Sequence, residues 1–307
     1  MIYLFDSMTN IVMITTLTNL RFMCQPEVQL FADGTFKYCA KFFYQMYTIH
    51  AYKNEQYVQC AYFLLPCKSR ECYIQMFQHL IDACTENELS LNPSCLHLDF
   101  EISVHEAAKH FCPNVSVKAC QFHLSKAWYR KIQSLGLAKE YKDKESPTGD
   151  WLKVFFGLSF LEPVEVEECF VFDLFSEAPD CEKAVKFADY VLKTYVCSDS
   201  AVFPPQIWAE SNIEGIRTTN GCESFHNQFG SMFYSTHPNI FDFLEKIKCT
   251  QTKTYLKIRA TKTPVLLAKR DREIVQKKRE LQDQYKNGQL SRVEYVKQMT
   301  FKVLSPS

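Results

Sequence analysis

Between Val28 and Gly136 the order of strand and helix patterns narrows the fold more than any single motif does. Three strand-patterned runs, Val28–Ala32, Phe42–Tyr52 and Tyr57–Leu65, follow one another with no helical pattern between them. Aromatic and β-branched residues dominate them, and Asn54-Glu55 supplies a turn between the second and third. Ser69 then opens a helix as N-cap, with Glu71 in its first turn and Tyr73, Phe77, Leu80, Ile81 and Cys84 at helical spacing. A brief apolar strand, Cys95–Leu98, ends at Asp99. Ser103 caps a helix through Phe111, Val115–Ala119 is a fifth strand, and a helix from about His123 to Leu135 is ended by Gly136. The first three strands form an antiparallel meander. The helix before the fourth strand lays that strand parallel to an earlier one.

From about Glu140 to Ala209 helix follows helix: Trp151–Leu158, Val164–Phe175 and Glu182–Tyr195. Thr219 or Asn220 caps a further helix carrying Glu223, Phe225, Phe229 and Met232. Asp271–Asn287 is a charged helix closed by Asn287-Gly288, and Ser291 with Glu294 starts a last one as a capping box. The expected organisation is a lead-in or remnant of a longer protein over 1–24 and the first part of a core over 25–139. A helical insertion follows over 140–209, then the second part of the core over 210–260 and a basic helical tail over 261–307.

At 307 residues, with 47% apolar and few Gly or Pro, the chain can bury an ample core. Net charge is zero, which excludes a wholly basic nucleic-acid binder, but the charge is segregated. Leu161–Glu182 holds eight acids and no Lys or Arg, whereas the chain from Lys262 onward is rich in both. The 14 Cys are scattered without paired spacing, which suits reduced thiols in a cytosolic or nuclear setting. No apolar run nears the roughly 20 residues of a membrane span, and the N-terminus lacks the basic region of a signal peptide.

Three acids carry the chemistry. Asp33 follows an apolar strand, Asp99 ends another, and Glu223 lies in the first turn of a helix. Each has a plain alternative: Asp33-Gly34 is a common turn pair, Asp99 suits a loop or cap, and Glu223 suits a helix N-terminus. Glu101 and Glu106 read as helix-start charges, with substitution for a ligand as the alternative. Converging carboxylates suit Mg²⁺, and two such ions promote in-line phosphoryl displacement.

The spacing of Cys120 and His123 suits zinc, but the nearest further donors, Cys112, His110 and His226, stand at no familiar zinc spacing. A structural zinc is not expected, and the pair reads as packing near the acids. Lys269, Arg270, Arg272, Lys277, Lys278 and Arg279 make a basic helix stripe that would attract phosphates. The alternative is a solvated helix balanced by Glu273, Glu280 and Asp283.

The frames Asp33-Gly34-Thr35-Phe36, Phe43 through His50, Asp99-Phe100-Glu101, Phe111-Cys112-Pro113 and Cys120-Gln121-Phe122-His123 follow in order. Gln133 through Leu137, Trp208, Arg217 through His226 and His237-Pro238 complete the series. Over residues 20 to 260 this series resembles the transposase domain of Mutator-like elements, the MULE transposases. The element order likewise matches a ribonuclease H-like mixed five-stranded sheet, whose first and fourth strands are central neighbours. The resemblance implies that fold with an all-helical insertion before the glutamate. It makes Asp33, Asp99 and Glu223 a DDE metal-binding catalytic triad for two Mg²⁺ or Mn²⁺ ions. Cys120 and His123 become an accessory motif, while Arg217 and Asn220 help place the glutamate helix. Expected partners are transposon ends, target DNA and further copies of the chain, in the nucleus, with no membrane or small-molecule substrate. Relatives often carry an N-terminal zinc-binding DNA reader, and no such Cys/His framework precedes Asp33. A domesticated, catalytically silent DNA- or chromatin-binding protein is therefore the alternative.

Overall fold

A computed structural model gives the conformation of residues 1–111, 115–212, 220–263 and 269–304. The strands and first helices are β1 (Ile2–Asp6), β2 (Ile11–Thr15), α1 (Leu17–Met23), β3 (Gln29–Thr35), β4 (Gln45–Lys53), β5 (Gln56–Leu65), α2 (Arg70–Thr85), β6 (Cys95–Leu98), α3 (Ile102–Phe111) and β7 (Ser116–Ala119). Helices follow as α4 (Gln121–Ser134), α5 (Ala138–Lys142), α6 (Pro147–Val154), α7 (Pro163–Glu168), α8 (Glu182–Val191) and α9 (Pro205–Trp208). The last are α10 (Asn220–Gly230), α11 (Ile240–Ala260), α12 (Lys269–Lys286) and α13 (Arg292–Met299). Two compact units divide the chain: Met1–Cys120 with Thr218–Leu266, and Gln121–Arg217 with Leu267–Ser307.

The first unit is mixed α/β around one sheet in the order β1-β2-β5-β4-β3-β6-β7. β3, β4 and β5 form the expected antiparallel meander, and β6 lies parallel to β3 with β7 parallel beyond it. Seven strands are present among the described residues where five were expected. The two additional ones form a hairpin on the outer edge of β5. Asp6, Thr9 and Asn10 build its turn. The Asp6 carboxylate accepts from the Met8 N–H at 2.9 Å and the Thr9 hydroxyl at 2.6 Å, and Asn10 takes a positive φ of 56°.

β3 also runs on through Asp33 and Gly34 to Thr35, so this pair is a strand segment rather than a turn. Side chains alternate across the sheet. Leu30, Ala32, Tyr47, Ile49 and Ala51 face a core built with Tyr73, Met76 and Leu80 of α2 and Val104 and Ala107 of α3. On the other face Met46, Tyr62 and Leu64 pack with Phe225 and Phe229 of α10 and Phe243 and Ile247 of α11. The Ser69 hydroxyl caps α2 by accepting from the Cys72 N–H at 3.2 Å.

The second unit is helical. Trp128, Phe155, Phe160, Phe187 and Trp208 are among its buried aromatics, and the Trp208 indole donates to the carbonyls of Tyr195 and Phe203. The acidic stretch meets cations of α13 within this unit. Arg292 reaches Asp173 at 2.6 Å and Glu168 at 2.7 Å, and Lys297 reaches Glu177 at 2.7 Å. The expected capping box of Ser291 and Glu294 is present. No helix among the described residues is long and apolar enough to cross a membrane.

Candidate active site

β3 and β6 pair in the register Gln29–Cys95, Leu30–Leu96, Phe31–His97. Two further residues along each strand are Asp33 and Asp99, so the two acids stand level at the ends of neighbouring parallel strands. The Phe31 and His97 rings mark their shared face, stacked at 4.1 Å between centroids and 2° from parallel. Burial pushes His97 down to about 3, with Lys118 adding to the effect, so it stacks as a neutral ring. Beyond β6 the Asp99 carbonyl accepts from His105 Nε2 of α3 at 2.6 Å, which fixes the backbone that carries the acid.

α10 lies on this face through a run of buried contacts. Phe225 packs edge-on to His50, and Gly221 lets the helix approach Tyr57. A Cβ at Gly221 would stand 2.3 Å from the Tyr57 ring, which explains the glycine two residues before Glu223. One turn after Glu223, His226 Nδ1 lies 3.3 Å from Asp33 Oδ2, and its Nε2 lies 2.8 Å from the Thr48 hydroxyl. His50 Nε2 meets the same hydroxyl at 3.1 Å. Thr48 in turn donates to the Asp33 carbonyl at 3.2 Å, which uses its single proton. The other Asp33 oxygen accepts from the Gly34 N–H at 2.9 Å.

Behind Asp33, on the opposite sheet face, Gln45 and Tyr47 cover Gly34. A Cβ there would stand 2.8 Å from Gln45 Oε1 and 3.1 Å from the Tyr47 ring. Glu101 receives a hydrogen bond from the Tyr73 hydroxyl, and burial raises its carboxyl against the pull of Lys68 and of that bond. Glu106 is instead exposed and paired with Arg70 at 3.5 Å.

Cys120 is buried at the end of β7, and its N–H donates to the Leu98 carbonyl at 2.9 Å. It neighbours Cys222, whose thiol is held well above its usual range by burial, then by Asp33, Cys120 and Glu223. His123 falls in the first turn of α4, in the other unit. Arg217 and the Asn220 side chain lie outside the described residues. Among the tail residues, Lys269, Arg270, Arg272 and Arg279 are exposed. Lys269 and Lys277 pair with Glu273 and Glu280, and Lys278 lies over the Phe160 ring. Among the described residues no three His, Cys, Asp or Glu side chains close tightly enough to hold a metal ion.

Thr48 and His50 were not singled out from sequence, and His226 was named only as a candidate zinc donor at no familiar spacing. The readable signal was spacing. His226 is one helical turn from Glu223, and Thr48 and His50 alternate onto one face of β4.

Residues 29–127 match the MULE transposase domain. The MULE match covers less than half of the chain. It spans β3 to β7 and the start of α4, and therefore contains Asp33, Asp99, Glu101, Cys120 and His123. Glu223 and His226 lie beyond it. No curated protein matches the chain.

Proposed function

We propose that the first unit is a ribonuclease H-like nuclease and strand transferase of the DDE type, derived from a Mutator-like transposase. Its substrates would be DNA ends and target DNA in the nucleus. The observation that carries this reading is the level pairing of Asp33 and Asp99, with the helix of Glu223 seated on Asp33 through His226. The MULE match over the strands that hold both aspartates supports it independently.

The residues suit a hard divalent cation in type. Asp33, Asp99 and Glu223 offer carboxylate oxygens, the hard ligands such an ion takes. These three acids would hold two Mg²⁺ or Mn²⁺ ions. Such a pair activates an attacking oxygen and neutralises charge on the leaving one. The chain's own part is orientation. The Gly34 N–H and His226 fix the Asp33 carboxylate, and His105 fixes the backbone at Asp99. Cys120, beside Cys222, would support the glutamate helix from below, and Arg217 and Asn220 would help place it.

The test is incubation of the purified protein and an Asp99→Asn variant with labelled DNA and Mn²⁺. Wild type should cleave, and the variant should lose at least about 100-fold of that activity. Equal cleavage by both would overturn the assignment. A second reading, a domesticated DNA- or chromatin-binding protein without catalysis, is favoured by one observation. Both Asp33 oxygens are already engaged, and no three ligands converge among the described residues. Salt-sensitive DNA binding with no cleavage by wild type would select it.

A further inference from the structure

The connection between β3 and β4, residues 36–44, carries aromatic rings on its outer surface. Phe36, Phe42 and Tyr44 are 45%, 92% and 47% exposed. Phe36 and Tyr44 stand edge to face at 5.2 Å between centroids. Lys37 Nζ lies 5.3 Å from the Tyr38 ring centroid, and Lys41 Nζ lies 5.3 Å from that of Phe42. No Asp or Glu occurs from Thr35 to Asn54, so neither charge is balanced along the segment.

The backbone beneath these rings is fixed. Cys39 and Ala40 are fully buried with Phe229 and Phe243. The Lys41 N–H donates to the Pro238 carbonyl at 2.9 Å, and the His237 N–H to that of Lys37 at 3.3 Å. Gly230 gives the Tyr38 ring room on α10, since a Cβ there would collide with it. Phe42 takes a φ of 80°, in the left-handed region that a bulky side chain enters only against strain. Packing does not account for a strained phenylalanine whose ring is left in solvent.

We propose that this loop is a platform on which unpaired bases of a DNA strand stack, with Lys37 and Lys41 meeting its phosphates. That the strand is DNA rests on the nuclease reading given above. Every base has a flat face that an exposed ring can cover, so stacking asks for no particular sequence. Bases inside a duplex are already stacked on each other, so the loop selects single-stranded or splayed DNA. Lysine is depleted at protein–protein interfaces, which argues against a protein as the occupant. Phe36 follows Asp33 by three residues, about 10 Å of extended chain. Bases on the platform would therefore lie beside the phosphodiester that Asp33 and Asp99 address.

The test follows the fluorescence anisotropy of labelled oligothymidylate and of a labelled duplex with the whole chain, in chelator so that no strand is cut. Wild type should bind the single strand more tightly than the duplex. Phe36→Ala and Phe42→Ala should each weaken single-strand binding roughly 5- to 100-fold and leave duplex binding unchanged. Lys37→Gln and Lys41→Gln should each lower the slope of log affinity against log salt by about 0.7. Phe42→Gly removes ring and strain together, so it should weaken binding without lowering the melting temperature. Circular dichroism melts establish that each variant is folded. Wild-type single-strand affinity in both Phe36→Ala and Phe42→Ala, or tighter binding of the duplex by wild type, would overturn the platform. Metal-dependent cleavage lost in Asp99→Asn would still leave the nuclease reading standing. Tighter binding of a matched RNA strand would overturn the choice of DNA. Single-strand binding that needs Phe42, with no cleavage by wild type, would uphold the platform and remove the nuclease reading.

Discussion

His226 Nδ1 meets Asp33 Oδ2 at 3.3 Å, tying the helix of Glu223 to the central strand of the sheet. Both side chains are more than nine-tenths buried, so neither can replace the other with water. Removing one partner of such a pair strands the other. His226→Ala should cost about 2–3 kcal/mol of stability, measured by urea unfolding. A loss below about 0.5 kcal/mol, the range of an ordinary surface substitution, would mean that α10 is held by its aromatic contacts alone.

Gly221→Ala should unseat the same helix by steric force. Its Cβ meets the root of the half-buried Tyr57 ring, and overpacking of this kind costs about 1–3 kcal/mol. Adding Tyr57→Ala should recover part of that loss in a double-mutant cycle. Strict additivity of the two effects would place the strain elsewhere.

His50 gives the fold a pH dependence of definite sign. Burial, then His226 and Lys257, hold its pKa well below the usual imidazole value. Above about pH 6.5 neither the folded nor the unfolded chain binds a proton here, and the full stability is present. Below that value the unfolded chain takes up a proton that the folded one refuses. Stability then falls by up to about 1.4 kcal/mol per pH unit until the folded pKa is reached. His50→Gln should flatten the decline in melting temperature between about pH 7 and 5. An unchanged slope would show that His50 does not contribute.

The exposed cations of α12 should act on affinity and not on catalysis. Replacing Lys269, Arg270 and Arg272 with Gln should lower DNA affinity and reduce the slope of log affinity against log salt by about one per lost phosphate contact. Fluorescence anisotropy at several salt concentrations reads this directly. An unaltered slope would make α12 a solvated helix balanced by its own acids.

Local signals were legible in the sequence wherever the bonds that act on them are local. The Ser69 cap, the bounds of β6 at Cys95 and Leu98, and the Ser291–Glu294 box follow from residues within one turn of each other. The pairing of β3 with β6 was legible because connection rules leave few choices. The β1–β2 hairpin was not. β2 finds its partner in the distant β5, and no local pattern announces that pairing. Asp33-Gly34 resembled a turn because the need for glycine comes from Gln45 and Tyr47, two side chains of another strand. In the site, the acids stood out by their frames. His226, Thr48 and His50 did not, since their chemistry arises only when α10 is folded onto β4.

The two units interleave along the chain: Met1–Cys120 is completed by Thr218–Leu266, and Gln121–Arg217 by Leu267–Ser307. During synthesis the sheet therefore emerges long before α10 and α11. Until they arrive, Met46, Tyr62 and Leu64 present an uncovered apolar face while Asp33 lacks its His226 partner. No single cut yields either unit whole, so a nascent or truncated chain ending before Glu223 carries both aspartates on a half-roofed sheet, prone to association and unable to build the site.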